Sequence, residues 1–138
     1  MAVDASVFEY LVKEENYPDS KVIVKEGSPG DWLYVILEGQ AKVKKKAPKG
    51  LVTVGTLKEG DIFGEMAFWT ALWQHPQRIR SASVIADGPV RIGVMDGERL
   101  RREFESISPR LKSLIRALML RLKETTDRAV AIALESGG

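Results

Sequence analysis

Apolar and polar positions along the chain fall into three regimes. Near the start, Val7, Phe8, Leu11 and Val12 recur at helical spacing behind Asp4, which can cap a helix, and Pro18 ends the pattern. A short N-terminal helix over residues 4–17 is therefore expected. From residue 21 to residue 95 the period shortens. The β-rich runs KVIV, WLYVIL, AKVKK, LVTVGTL, IRSASVIA and VRIGVM alternate with the turn clusters EGSPGD, LEGQ, KAPKG, KEGD and ADGP. Short strands punctuated this often by Gly and Pro read as an antiparallel barrel or sandwich.

After Met95 the helical period returns and predicts C-terminal helices over residues 96–135. Asp96 can cap a short helix through Phe104. Ser108 and Pro109 then supply the N-cap and the first-turn proline of a long one. The apolar stripe of the long helix runs Leu111, Ile115, Leu118, Leu122, Thr125, Ala129 and Ile132, a heptad seam that weakens after Leu122. A helix from Pro109 to Glu135 spans about 40 Å, against a radius of gyration of roughly 14 Å for a globule of this size. Two arrangements fit such a helix. Its stripe packs on its own barrel, or its free part pairs with the same helix of a second chain.

Composition narrows the chemistry. At 138 residues a single domain with one core is expected. With one histidine, His75, and no cysteine, the chain lacks the usual ligands for a zinc centre. No G-x-S-x-G elbow accompanies His75. Neither a catalytic group nor a metal is expected, and the chain does not read as an enzyme. His75 itself, just before Pro76, suits the negative end of a helix dipole. The net charge of +2 gives no whole-molecule pull toward nucleic acid. The lysines at 42, 44, 45, 46 and 49 read as a solvated hairpin tip guarding a sheet edge, with no interleaved aromatics to stack bases. No apolar run approaches the roughly 18 residues of a membrane span, and the first residues lack a basic signal region. A cytoplasmic protein without membrane contact is expected.

The stretch GDIFGEMAFWTALWQHPQRIRSASV, Gly60 to Val84, is the chemically distinctive one. Its ends are polar and its middle is greasy. If IFG ends a strand and a helix starts at Glu65, then Gly64 and Glu65 lie at a helix N-terminus, where free N–H groups attract anions. Glycine lets a ligand approach the backbone, and a carboxylate there accepts hydrogen bonds from sugar hydroxyls. Arg80 can hold a phosphate in a two-pronged contact, with Ser81 and Ser83 adding hydroxyls. Together these groups match a ribose-phosphate. An ordinary ion pair between Glu65 and Arg78 or Arg80 accounts for the spacing equally well.

The order KEGSPGDWLYVILEG, LKEGDIFGEMAF, RSASVIA resembles the cyclic-nucleotide-binding domain family over nearly the whole chain. FGE followed downstream by RSA is the specific part. The resemblance implies a mainly β fold with flanking helices: a double-stranded β-helix, or jelly-roll β-barrel, over residues 21–95. It also implies an N-terminal helix, a long C-terminal helix, and a phosphate cassette at 60–84. It implies a ligand-facing set of Phe63, Gly64, Glu65, Met66, Ala67, Arg80, Ser81 and Ala82. In that set Gly64 and Glu65 face the ribose and cyclic phosphate, with Glu65 on the 2′-hydroxyl, and Arg80 holds the phosphate. Ser81 matches the serine that contacts the ligand in catabolite-activator-type members. The long helix matches one that lids the ligand and often forms the dimer seam. The implied ligand is cAMP or cGMP, with no further cofactor. No helix-turn-helix, kinase, channel or cyclase segment follows in the sequence. The signal is therefore expected to pass through a homodimer or to a separate effector protein, without nucleic acid.

One departure stands out. Fourteen residues, Met66 through Ile79, separate Glu65 from Arg80, several more than the family's usual spacing, and the proline before the arginine is missing. Closure entropy for the longer connection costs only about 0.5 kcal/mol. As a helix, the excess places Met66, Trp69 and Trp73 on one face and Phe68 and Leu72 on another, so it needs cover on more than one side. The alternative reading follows from that. The domain keeps the fold, binds no nucleotide, and uses the enlarged apolar cassette as an interaction or dimerisation surface.

Overall fold

A computed structural model of the chain describes residues 3–28, 32–65, 68 and 82–137. Its centre is a six-stranded, wholly antiparallel sheet. The strands are β1 (Leu11–Tyr17), β2 (Val22–Val24), β3 (Tyr34–Ala47), β4 (Gly50–Leu57), β5 (Ile62–Phe63) and β6 (Ser83–Met95). The main path runs β1-β6-β3-β4, with β2 paired to β6 and β5 paired to β3. Two helices follow, α1 (Gly97–Glu105) and α2 (Pro109–Gly137).

The N-terminal helix expected over residues 4–17 is much shorter. Asp4 does cap it, accepting from the Ser6 N–H at 2.9 Å, but only Ala5–Tyr10 is helical, as a 3-10 helix. Leu11–Tyr17 is a strand. Its backbone groups find partners along β6, from Leu11 opposite Met95 to Tyr17 opposite Val90. Phe8 and Val12, half of the supposed apolar stripe, are exposed. Sheet pairing with residues some eighty positions away overrides the local period.

The runs expected as four strands around LEGQ and ADGP merge into two long ones. LEGQ lies inside β3 and ADGP inside β6, with register shifts at Ile36/Glu38 and Glu38/Gln40. Gly39 makes this bulge possible. Its φ is +89°, and a Cβ there would fall 2.5 Å from the Pro89 carbonyl oxygen on β6. KAPKG is a true hairpin turn, with Ala47 paired to Gly50.

The core lies on one face of this bent sheet. Val24, Ile36, Ala41, Phe63, Val84, Ala86, Val90 and Ile92 form the buried cluster, and Tyr17, Ile23, Tyr34 and Leu57 pack against it. Elsewhere, the Leu11 and Val35 side chains close over Gly93 so tightly that a Cβ would sit 2.5 Å from Leu11 Cδ2. Across β1, β6 and β3, Arg91 pairs with Glu14 at 3.0 Å and with Glu38 at 3.4 Å.

The C-terminal helices begin where the caps place them. Asp96 Oδ1 accepts from the Arg99 N–H at 3.1 Å, and Ser108 Oγ accepts from the Leu111 N–H at 3.2 Å. At 29 residues, α2 is about 44 Å long. It packs against β4. Most of the heptad stripe does not pack on its own barrel: Leu111, Leu118, Leu122 and Ile132 are 44%, 57%, 45% and 64% exposed. Ile115 is half-buried.

Candidate ligand site

The turn before β5 is pinned from three directions. Asp61 Oδ2 accepts from the Lys58 N–H at 2.8 Å, and this bond chiefly holds the carboxyl below its usual range. The Gly60 N–H donates to the Ile36 carbonyl and the Ile36 N–H donates to the Asp61 carbonyl, locking the turn onto β3. The Val3 N–H donates to the Gly60 carbonyl from the N-terminal side.

β5 then pairs Ile62 with Val35 and Phe63 with Tyr34. The Phe63 ring is 3% exposed and stacks on Tyr34 with centroids 5.0 Å apart. Phe63, one of the implied ligand-facing residues, therefore gives its ring to the core. Gly64 follows with φ +82°, the left-handed conformation that turns a strand abruptly into a helix. A helical turn opens at Glu65 and is closed by the Phe68 N–H donating to the Gly64 carbonyl at 3.1 Å. The expected arrangement of glycine and glutamate at a helix start is thus present, with both residues half-buried.

On the far side, Ala82 is half-buried in a bend just before β6. Ser83 is buried at 7% exposure, and its hydroxyl accepts from the Glu26 N–H at 2.8 Å. This bond ties the start of β6 to the turn after β2. Glu26 in turn accepts from the Lys46 N–H at 2.9 Å and pairs with Lys45 at 3.8 Å. Met66, Ala67, Arg80 and Ser81 lie outside the described residues, as do Trp69, Leu72, Trp73, His75 and Arg78.

The two ends of the cassette are held independently of its middle. Phe63 pairs with Tyr34 and Ser83 pairs with Lys44, on either side of the bulges in β3. The bend of β3 therefore sets the separation of these two anchors, whatever the length of the connection between them. One connection went unseen in the sequence. The Phe68 ring lies against Gly97, where a Cβ would meet Phe68 Cε2 at 3.5 Å, so the cassette touches the first turn of α1. From the other side, Tyr10 donates its hydroxyl to Glu103, and its carbonyl accepts from the Asp96 N–H at 2.7 Å. Arg99 lies 5.0 Å from the Tyr10 ring and pairs with Glu103 at 3.5 Å. Among the described residues no cluster of side chains could hold a metal ion, and no helix is long and apolar enough to cross a membrane.

A family profile for the cyclic nucleotide-binding domain matches residues 14–106. The chain belongs to that family. The match runs from the middle of β1 through α1 and includes both ends of the cassette. A CRP-like cAMP-activated global transcriptional regulator of Mycobacterium tuberculosis is 30% identical over 129 residues, which make up 91% of this chain and 55% of the regulator. The chain thus spans about half the length of the curated relatives it matches.

Solved structures agree on the fold. The EAL enzyme Bd1971 in its cAMP-bound form superposes with a TM-score of 0.67 at 29% identity, over 83% of this chain and 30% of that one. Its cGMP-bound form gives 0.67 at 28% identity, over 86% and 30%. A cyclic nucleotide-binding domain from Methylobacillus flagellatus gives 0.61 at 29%, over 89% and 68%. The fold is the jelly-roll of cyclic nucleotide-binding domains, and the chain is a regulatory module of that kind.

Proposed function

We propose that this domain binds cAMP or cGMP in the cassette between β5 and β6 and reports occupancy through α1 and α2. The strand-to-helix turn at Gly64 and Glu65, joined by Phe68 to the start of α1, carries the reading. The turn offers helix N–H groups and a carboxylate for a cyclic phosphate and a ribose, with Phe63, Met66, Ala67 and Ala82 around them and Ser81 beside Arg80. Arg80 neutralises the phosphate. The neighbours bound to cAMP and to cGMP support either purine as ligand.

Binding that draws the Glu65 turn toward a phosphate also moves Phe68 against Gly97. It thereby shifts the equilibrium position of α1 and of the helix behind it. The exposed stripe of Leu111, Leu118, Leu122 and Ile132 then forms the seam of a homodimer, or meets an effector protein. The test is thermal unfolding with cAMP, cGMP and 5′-AMP. Ligand at a hundred times its Kd adds about 2.7 kcal/mol of stability. Stabilisation by a cyclic nucleotide and not by 5′-AMP is expected. No shift with either cyclic nucleotide would leave the module as an interaction domain without a ligand.

A further inference from the structure

Two of the lysines of β3, Lys42 and Lys44, do not guard an edge. As far as Lys44, β3 is an interior strand flanked by β6 and β4; beyond it Lys45, Lys46 and Ala47 pair with β4 alone. Lys42 lies between Ile85 and Thr56, and Lys44 between Ser83 and Thr53. Alternate strand residues share a face, and Ala41, at the parity of Val43 and Lys45, is fully buried. Lys42, Lys44 and Lys46 therefore project together from the opposite face. They form a ladder with a rise of about 6.5–7 Å per step.

The one carboxylate beside the ladder among the described residues, Glu26, accepts from the Lys46 N–H and pairs with Lys45. Among the described residues, no ion pair engages Lys42, Lys44, Lys46 or Lys49, and the cross-strand neighbours are Ile, Ser, Thr and Leu. Elsewhere in the same sheet Arg91 finds carboxylates across strands, in Glu14 and Glu38. Residues 21–58 carry eight lysines against three carboxylates. Two of those three, Glu26 and Glu38, already pair with Lys45 and Arg91. A row of like charges that starts at two interior positions, next to cross-strand positions that could hold Glu and do not, is costly for an isolated domain.

We propose that this face docks an extended acidic segment of a partner protein, with Asp or Glu at alternate positions. Such a segment presents carboxylates on one side at the same 6.5–7 Å spacing. Single-stranded nucleic acid fits less well, because the cross-strand neighbours of the ladder offer no aromatic side chain on which bases would stack. The inference goes beyond the nucleotide reading and does not depend on it.

The test uses the full chain and labelled peptides followed by fluorescence anisotropy at low and at physiological salt. One peptide alternates Glu and Thr; a second has the same composition with its glutamates in one block; oligothymidylate is the third probe. The alternating peptide is expected to bind at least about tenfold more tightly than the other two, with an affinity that falls as salt rises. Lys42→Glu/Lys44→Glu/Lys46→Glu should abolish that binding while leaving cyclic nucleotide affinity unchanged. Should the reversed variant fail to fold, Lys42→Gln/Lys44→Gln/Lys46→Gln must show the same loss. Equal binding of the block peptide, tighter binding of oligothymidylate, or peptide binding indifferent to the substitutions would overturn the proposal.

Discussion

Leu118 sits at the centre of the exposed stripe on α2 and is 57% exposed. Fully burying a leucine side chain contributes about 1.5–3 kcal/mol, so covering this share is worth about 1–2 kcal/mol per chain. A symmetric seam counts it twice, at about 2–4 kcal/mol. The exposed parts of Leu111, Leu118, Leu122 and Ile132 together amount to two complete aliphatic side chains per chain, or about 6–12 kcal/mol per dimer. Association costs about 4–15 kcal/mol in lost freedom. The two quantities are of similar size, which makes any dimer through this seam sensitive to a single position. Leu118→Ala should weaken the dimer by roughly 10–100-fold, and Leu118→Asp, which buries two carboxylates in the seam, should leave a monomer. Sedimentation velocity over a concentration series measures this, with circular dichroism to establish that both variants are folded. A wild-type protein that stays monomeric throughout the series, or a Leu118→Asp protein that sediments as the wild-type dimer, refutes the seam.

Other substitutions probe the frame around the cassette. Gly39→Ala places a Cβ against the Pro89 carbonyl at a left-handed φ and should destabilise the domain by about 2–4 kcal/mol in urea unfolding; a loss under about 0.5 kcal/mol would mean that the bulge is not fixed by this contact. Ser83→Ala leaves the Glu26 N–H without its acceptor and should cost about 1–3 kcal/mol with little change in cyclic nucleotide affinity. Burial and the hydrogen bond to Glu15 push the Tyr17 hydroxyl up to about 12. The folded state thus holds this proton more tightly than the unfolded chain. The associated stability is complete below the ordinary tyrosine range near 10 and disappears as pH rises toward 12. Tyr17→Phe should lose that part of the alkaline dependence, and an unchanged alkaline slope would contradict the assignment.

The sequence disclosed most where chemistry is local. Asp96 and Ser108 cap the helices they were expected to cap, because a side-chain oxygen three residues before an N–H needs no tertiary partner. FGE is likewise a local instruction: a glycine with positive φ between a short strand and a helical turn. Long-range pairing hid the rest. Leu11–Tyr17 carries a helical period and becomes a strand because β6 offers it a ladder. LEGQ and ADGP have turn composition, yet opposite one another they bend two continuous strands. The partners of Phe63 and Ser83 in the frame, Tyr34 and Glu26, lie far from them in the sequence. The interior position of Lys42 and Lys44 depends on strand order, which no local pattern encodes.

Calorimetric titration of cAMP and cGMP into the wild type, Glu65→Ala and Arg80→Ala tests the central claim most directly. The account predicts saturable binding of at least one cyclic nucleotide, weakened by roughly 10–100-fold in each variant, as expected for losing a hydrogen bond to a charged group. Absence of binding to the wild type, or equal affinity in all three proteins, would contradict it.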